Sequence, residues 1–420
     1  MKRTLKGIAI LLATTYCSLF FAACTKVDSS PAPIATDKGK AGDPNARILS
    51  NSGIGGYNLS DARDLVVPYD FYSNGKTNQL ICYRPGTGIC WIMNNTGAGA
   101  SPNFVTVYQT SSGIGAAPNN YNLNDSRDRI VPYDLDGTGK QDYIICYRPG
   151  TGNFWIFKNN NGTFTNVLRS ASGIGSGSGN YNLTDSRDVI VPFDYYGTGK
   201  ATQLLCYRPG TGICWVMNNT AGAGATPSFA PVYQTWSGIG TGVNEGDNYN
   251  LTDNRDIILP ADLHGNGIKN GLLCYRPGTG IIYGFDRYPT TNGFGDYFYS
   301  HVGLWDNSGG LHYDLSSSSD RVIPYDYSSN GLTNNVVCYR PGNGICWMFT
   351  GYPQFGGYGQ VVYNATNGIG SGSTFYDLSS VNDKVFAYDY DGTGKADHLV
   401  AYRPGSGIIW IFNNALQKIY

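Results

Sequence analysis

Charge is scarce in this chain. Only 14% of its 420 residues are charged, and 29 basic against 30 acidic side chains leave a formal net charge of −1. No run or stripe of Lys and Arg occurs, so the footprint of a phosphate-binding surface is missing, which argues against nucleic acid as a partner. Histidine is limited to His264, His301, His312 and His398. None of them repeats, and no serine elbow or His-Glu pattern accompanies them, so hydrolytic chemistry has no signature here. Zinc has no CxxC or His pairing to hold it. Helical periodicity is missing throughout. The one long apolar run, Ile8 to Ala23, is too short and interrupted to span a bilayer comfortably.

What the chain has instead is repetition. Tyr-Arg-Pro-Gly occurs six times, starting at Tyr83, Tyr147, Tyr207, Tyr275, Tyr339 and Tyr402, at intervals of 64, 60, 68, 64 and 63 residues. A period this regular means one structural unit copied around an array. In the second copy, a short apolar run from Arg129 to Asp134 leads into the turn Asp134 to Asp142. Runs of β type follow at Tyr143 to Arg148, Phe154 to Lys158 and Phe164 to Ser170, separated by turns at Pro149 to Gly152 and Asn159 to Gly162. Four short antiparallel strands per copy and six copies predict an all-β fold, a six-bladed β-propeller.

Two details favour a closed ring. Pro68, Pro132, Pro192, Pro260 and Pro324 stand near the end of the first strand in five copies. Proline cannot donate to a ladder, so it belongs on an edge strand, and the first strand of a propeller blade is the inner edge. The sixth copy also stops after its third strand, Ile408 to Asn413, while Ala46 to Gly55 matches the fourth strand and following loop of other copies. The N-terminal segment is thus expected to complete the last blade. Copies one, three and five share Ile-Cys-Trp after the turn (Ile89, Ile213, Ile345), which suggests a tripled pair of blades and a pseudo-threefold body.

The N-terminus reads as an export signal: Lys2, Arg3 and Lys6 precede the apolar run, and Phe21-Ala22-Ala23-Cys24 resembles the lipobox of bacterial lipoproteins. That resemblance implies cleavage after residue 23, acylation of Cys24 and membrane attachment through that lipid alone. Residues 24–46, rich in Pro, Ser, Ala, Gly and Lys, read as a flexible tether to the body at 47–420. An envelope-anchored, exported protein is expected.

Asp-x-Asp-Gly-Thr-Gly-Lys-x-Asp, followed by a strand, Tyr-Arg-Pro-Gly-Thr-Gly and Trp-Ile, resembles the FG-GAP/VCBS repeats of bacterial surface proteins, related to the integrin α-subunit propeller. The resemblance implies a binding propeller with Ca²⁺ held between the first and second strands. Only two loops carry the full set: Asp134, Asp136, Thr138 and Asp142 (with the Lys140 carbonyl), and Asp389, Asp391, Thr393 and Asp397. Oxygens at alternate positions suit calcium's all-oxygen shell, and the ion would be structural. In the other four loops the third position is Tyr72, Tyr196, His264 or Ser328, and the ninth is Asn78, Thr202, Asn270 or Asn334. Asp/Asn/Gly turns also persist for backbone reasons alone.

Each copy pairs its Tyr-Arg-Pro-Gly arginine (Arg84, Arg148, Arg208, Arg276, Arg340, Arg403) with an aspartate before the first strand (Asp64, Asp128, Asp188, Asp256, Asp320, Asp383). Sixfold repetition suggests a stabilising ion pair or turn anchor. The same arginines would also lie on one rim with the inter-blade loops, where planar donors beside aromatic faces suit sugar hydroxyls. Trp91, Trp155, Trp215, Tyr283, Trp347 and Trp410 recur too regularly to be a private site, and packing between neighbouring blades is the favoured reading. Trp236 and Trp305 have no counterpart in most copies and point to a ligand surface.

Eight cysteines lie in the body. Cys82/Cys90, Cys206/Cys214 and Cys338/Cys346 flank the turn eight apart, as if opposite each other on adjacent strands, which would allow three cross-strand disulfides in an exported protein. Cys146 and Cys274 have no such partner, and the other reading is buried, small, apolar thiols. The functional expectation is a multivalent, lectin-like carbohydrate-binding module. A protein–protein adhesion or scaffolding module is the rival, and a polysaccharide-active enzyme trails both.

Overall fold

A run such as Gln-Leu-Ile-Cys-Tyr-Arg, apolar and β-prone along its whole length, needs cover on both faces. In the computed structural model it has that cover. The structure describes residues 46–97, 102–222, 224–240, 248–288, 293–306, 312–352, 359–371 and 374–414, with the backbone alone for 46–50, 371 and 374. The export segment, Cys24 and all of the tether before Ala46 lie outside the described residues.

Six four-stranded antiparallel sheets account for the body. The first is Leu65–Tyr69, Gln79–Arg84, Ile89–Asn95 and Phe104–Thr110. The second is Arg129–Tyr133, Tyr143–Arg148, Asn153–Asn160 and Thr163–Ser170. The third is Val189–Phe193, Gln203–Arg208, Ile213–Asn219 and Phe229–Thr235. The fourth is Ile257–Ala261, Gly271–Arg276, Ile281–Tyr288 and Gly293–Ser300. The fifth is Arg321–Tyr325, Asn335–Arg340, Ile345–Thr350 and Gln360–Ala365. In the sixth, Lys384–Tyr388, His398–Arg403 and Ile408–Phe412 are joined by Ala46–Ser50, which pairs Leu49 with Trp410 and Ile48 with Ile411. The predicted closure of the ring by the N-terminal strand is therefore present, and the fold is a six-bladed β-propeller.

The second strand of every blade is buried at its first five positions. Alternate side chains go to opposite neighbours because successive residues of a strand point to opposite faces. In blade one, Ile81 and Tyr83 pack toward blade two, while Leu80 and Cys82 pack toward blade six. Six such layers, one between each pair of neighbouring blades, make up the core, and the layer joining Tyr388, Val400 and Ile409 to Val66 and Met93 closes the circle. Tryptophans of the third strands, Trp155 and Trp215 among them, lie in these layers as expected.

The same alternation decides between the two readings of the cysteines, in favour of buried thiols. The turn pairs Tyr83 with Cys90 and Cys82 with Trp91, so the two cysteines are one residue out of register and face different layers. Cys206/Cys214 and Cys338/Cys346 behave alike. All eight described cysteines are free and buried.

First strands form the inner edge: those of blades two and three, and of five and six, approach within 8 Å between Cα atoms. A bare edge would leave unpaired N–H groups, and here the Tyr of Tyr-Arg-Pro-Gly caps one of them. Tyr83 accepts a hydrogen bond from Ile130 N at 3.2 Å, and the same bond runs from Ile190 to Tyr147, Ile258 to Tyr207, Val322 to Tyr275 and Val385 to Tyr339. The sixth, from Val66 N to Tyr402 at 3.2 Å, spans 336 residues of sequence and ties the last blade to the first.

Candidate functional site

Each inter-blade loop ends in an aspartate that is fully packed away. Asp64 accepts Tyr57 Oη at 2.6 Å, Asp61 N at 2.9 Å, and Arg84 Nε and Nη2 at 2.8 and 2.9 Å. Asp128 and Arg148, Asp188 and Arg208, Asp256 and Arg276, Asp320 and Arg340, and Asp383 and Arg403 repeat the bidentate pair at 2.7–3.1 Å. The aspartates have 0% side-chain exposure and the arginines 13–19%. Nη2 also donates to Asn58, Asn122, Asn182, Asn250, Asp314 or Asp377 in the respective blades, so three donors of each guanidinium are committed to the scaffold, and Nη1 makes no hydrogen bond among the described residues. Burial, then the neighbouring Asp64, pushes the Tyr57 phenol far above its ordinary pKa, so it donates throughout the physiological range.

The loop is fastened to the preceding blade as well. Gly86 N and Gly88 N, in the turn of blade one, both donate to Leu123 O at 2.9 and 3.1 Å, and Leu123 itself is buried with φ of +49°. Leu59, Leu183, Leu251, Leu315 and Leu378 share this left-handed backbone, with φ between +47° and +52°. That conformation is costly for a bulky residue and persists where surrounding bonds over-determine it. Each Arg-Pro-Gly turn therefore grips one loop through its arginine and the next through its glycine N–H groups, and the rim expected from sequence is one continuous belt.

A second rim arginine escaped the sequence reading. Arg63, Arg127, Arg187 and Arg255 fork onto Asp61, Asp125, Asp185 and Asp253 at 2.6–2.9 Å, with 38–42% side-chain exposure. Hydrogen bonding to these arginines, against some burial, holds the four aspartates at about 2. The signal was the Asp-x-Arg-Asp spacing, present in four copies. Blades five and six carry serines or Asn382 instead, and Asp314 and Asp377 take the second acidic position beside Arg340 and Arg403. The rim thus divides four and two, a different grouping from the alternation of the Ile-Cys-Trp strands.

Trp236 stands at 62% exposure beside the blade-three turn, edge-on to Trp215 at 5.8 Å. A Cβ on Gly212 (φ +81°) would lie 2.6 Å from Trp236 O, and one on Gly210 would lie 2.9 Å from Arg187 Nη1. Arg187 Nη1 in turn donates to Asn254 Oδ1 at 2.9 Å. One glycine turn therefore carries an exposed indole on one side and a guanidinium–amide pair on the other. Trp305 lies in the next inter-blade loop, stacked on His312 with ring centroids 4.8 Å apart, so it does not share this site.

The loops between first and second strands open on the opposite face. Asp134 accepts Thr138 N and Gly139 N at 3.0 and 2.9 Å, and Asp389 accepts Thr393 N and Gly394 N at 2.9 and 3.0 Å. Asp70, Asp194, Asp262 and Asp326 do the same in loops with fewer acids, so this aspartate has a backbone role in every blade. The remaining donors fit a cation. Asp142 Oδ1 is buried and has no hydrogen-bond partner among the described residues. Burial first, then Asp136, raises the Asp142 pKa. In blade six, ligand atoms of Asp391, Asp397 and His398 lie within 4.8 Å of one another, with His398 Nδ1 2.8 Å from Asp397 Oδ1. The histidine was not anticipated as a neighbour of this loop. A 490 Å³ cleft between blades two and three, lined by Asp136, Tyr143, Lys158, Thr202, Asn218 and Asn219, also lies on this face and away from the arginine rim.

The class is defined by these observations: a closed six-bladed propeller with a repeated Asp–Arg rim. No protein-family model and no curated protein matches the chain. Among solved structures, it is similar to the β-propeller domain of Cps50 (Swd1) from Myceliophteria thermophila, at 11% identity and TM-score 0.42 over 88% of this chain and 99% of that one. A putative 6-phosphogluconolactonase from Bacteroides fragilis aligns at 10% identity and TM-score 0.42, over 90% and 94% of the two chains. An auxiliary nutrient binding protein from Bacteroides thetaiotaomicron aligns at 12% identity and TM-score 0.43, over 86% and 69%.

Proposed function

We propose that this protein is an envelope-anchored binding module of the FG-GAP/VCBS-repeat kind, exported and lipid-attached through Cys24, whose ligand is carbohydrate. The observation that carries the reading is the blade-three turn, flanked on one side by the exposed Trp236 and on the other by the Arg187–Asn254 pair. An indole face takes the C–H face of a sugar ring, and fixed planar donors and acceptors sort its hydroxyls. The six rim arginines, Arg84 to Arg403, supply the repeated frame, and weak sites repeated on one face gain avidity together. Calcium in the two acid-rich loops, held by Asp134, Asp136, Thr138 and Asp142 and by Asp389, Asp391, Thr393 and Asp397, would neutralise clustered carboxylates and stiffen the far face.

The test is a glycan array with the purified protein and its Trp236→Ser variant, serine being close to what blade one has at Ser111. Saturable binding that falls tenfold or more in the variant is the expected result. Val302 and Val381, 51% and 74% exposed beside the turns of blades four and five, favour protein contact as the second reading. Failure to bind any glycan, with a protein ligand captured at this rim, would replace the first reading by the second. Release of reducing sugar from a polysaccharide panel would replace both.

A further inference from the structure

The inner strands begin at Leu65, Arg129, Val189, Ile257, Arg321 and Lys384, equivalent positions in the six blades. Each lies opposite the Tyr of its own Tyr-Arg-Pro-Gly, so the six residues ring the axial channel at its rim-side mouth. Three of them are cations. Arg129 and Arg321 come from blades on opposite sides of the ring, and Lys384 adjoins Arg321. Blades one, three and four show that the fold accepts Leu, Val or Ile at this position, so the cations are not a requirement of the scaffold.

No carboxylate among the described residues forms an ion pair with them. Arg129 Nη1 donates to Ser126 O and Asp128 O at 3.3 and 3.0 Å, and Arg321 Nη1 donates to Ser318 O and Asp320 O at 3.3 and 2.7 Å. None of the three forms a salt bridge among the described residues, because Asp128 and Asp320 are already spent on Arg148 and Arg340. Burial first, then the charges of Arg321 and Arg129, depresses the Lys384 pKa, so the three groups feel one another. Two residues along the strands, on the same face, Val67, Val131, Val191, Leu259, Ile323 and Phe386 give an apolar floor. Like charges over an apolar floor repel strongly, and a counter-ion there is worth more than in water.

The tyrosine ring adds donors. Tyr83, Tyr147, Tyr207, Tyr275, Tyr339 and Tyr402 are 1–5% exposed, and each hydroxyl accepts one backbone N–H from the next inner strand. None donates its own proton to a protein atom among the described residues. Nearly buried phenols with a spare proton, set between the inner strands one residue from the cations, call for an acceptor.

We propose that the rim-side mouth of the axial channel binds one tetrahedral oxyanion, a phosphate or sulfate group, held by Arg129, Arg321 and Lys384 and by the spare protons of the tyrosine ring. The anion is either the free ion or a substituent of a larger ligand drawn to the rim. The site does not depend on the sugar reading, since its residues are separate from Trp236, Arg187 and Asn254.

Calorimetry and thermal melts of the protein in phosphate, sulfate and chloride at equal ionic strength test this. Phosphate or sulfate should bind with one-to-one stoichiometry and raise the melting temperature where chloride does not. Arg129→Val, Arg321→Val and Lys384→Leu, borrowed from the apolar blades, should each weaken binding tenfold or more and melt no lower than wild type in chloride alone. Binding of a sulfated sugar but not of its desulfated form would support the substituent version, and binding of the free ions alone the inorganic one. Equal stabilisation by all three salts, or unchanged affinity in the variants, would overturn the proposal. If a variant fails to fold, wild-type calorimetry still decides it: sulfate and phosphate raise melting temperatures by exclusion from any protein surface, so saturable one-to-one binding supports the site and its absence overturns it.

Discussion

Asp128→Ala is the perturbation whose cost the geometry sets most directly. The carboxylate has no exposure and accepts four hydrogen bonds: Tyr121 Oη at 2.7 Å, Asp125 N at 2.9 Å, and Arg148 Nε and Nη2 at 2.8 and 3.0 Å. Truncation leaves a buried phenol and a backbone N–H without an acceptor, and a guanidinium with only 18% exposure without its counter-charge. Removing one partner of a buried pair costs about 3–5 kcal/mol. The lower end applies here, because Arg148 Nη2 keeps Asn122 Oδ1 at 3.1 Å and can reach water. A loss of about 3 kcal/mol is a large part of the ~5–15 kcal/mol by which proteins are usually stable. Equilibrium urea unfolding followed by tryptophan fluorescence should show the midpoint drop. Asp125→Ser, which copies Ser317 of blade five, should cost under about 1 kcal/mol, since its partner Arg127 is exposed. A variant Asp128→Ala that unfolds with wild-type urea dependence yet loses glycan binding would refute the scaffold role and return Arg148 to the ligand.

Other outcomes follow from the same contacts. Tyr402→Phe removes the acceptor of the Val66 amide and should cost about 1–3 kcal/mol, with faster hydrogen exchange at Val66; unchanged exchange there would deny the ring closure. The eight described thiols, with burial pushing their pKa values up, should resist a thiol reagent until the protein is denatured, and reductant should leave the melting temperature alone; a Cys82–Cys90 cross-link in peptide mass spectra would contradict the register. Chelation should lower the melting temperature if the acid-rich loops hold calcium, and an unchanged value would defeat that proposal. The pH dependence carries the sign: Asp134, Asp142 and Asp389 have raised pKa values, chiefly through burial, so without metal they stabilise the fold below the ordinary carboxylate value and lose that contribution as pH rises through their folded values. Calcium should restore what is lost at high pH. Asp61, Asp125, Asp185 and Asp253, held at about 2, act oppositely and lose their contribution only as pH falls toward that value.

Much of the candidate rim could be read in one dimension. Arg148 and Asp128 recur in every copy, and a feature shared by all copies of a unit is bound to serve the unit. The outer arginines are as plain in the sequence, at Asp61-x-Arg63, but occur in only four copies, so they belong neither to every unit nor to a single one. For Cys82 and Cys90 the sequence left disulfides and buried thiols both open, because the count across a turn does not say which residues pair. Tyr83 sits opposite Cys90, and that single residue of register sends the two thiols to different layers.

Edge prolines, the number of blades and the strand that shuts the ring were decided by the amino-acid order alone, because turn chemistry and the two-residue alternation of a strand are local; strand limits were less so, since Asn159 and Asn160, expected in a turn, end a strand. Contacts between residues from different blades were not so decided. That Tyr402 caps Val66, that Leu123 is held left-handed by the glycines of the turn before it, and that Arg129, Arg321 and Lys384 share one channel mouth depend on where the closed circle brings distant segments. Each repeat codes for its own sheet, whereas the meeting of unlike residues at the axis exists only once six sheets surround it.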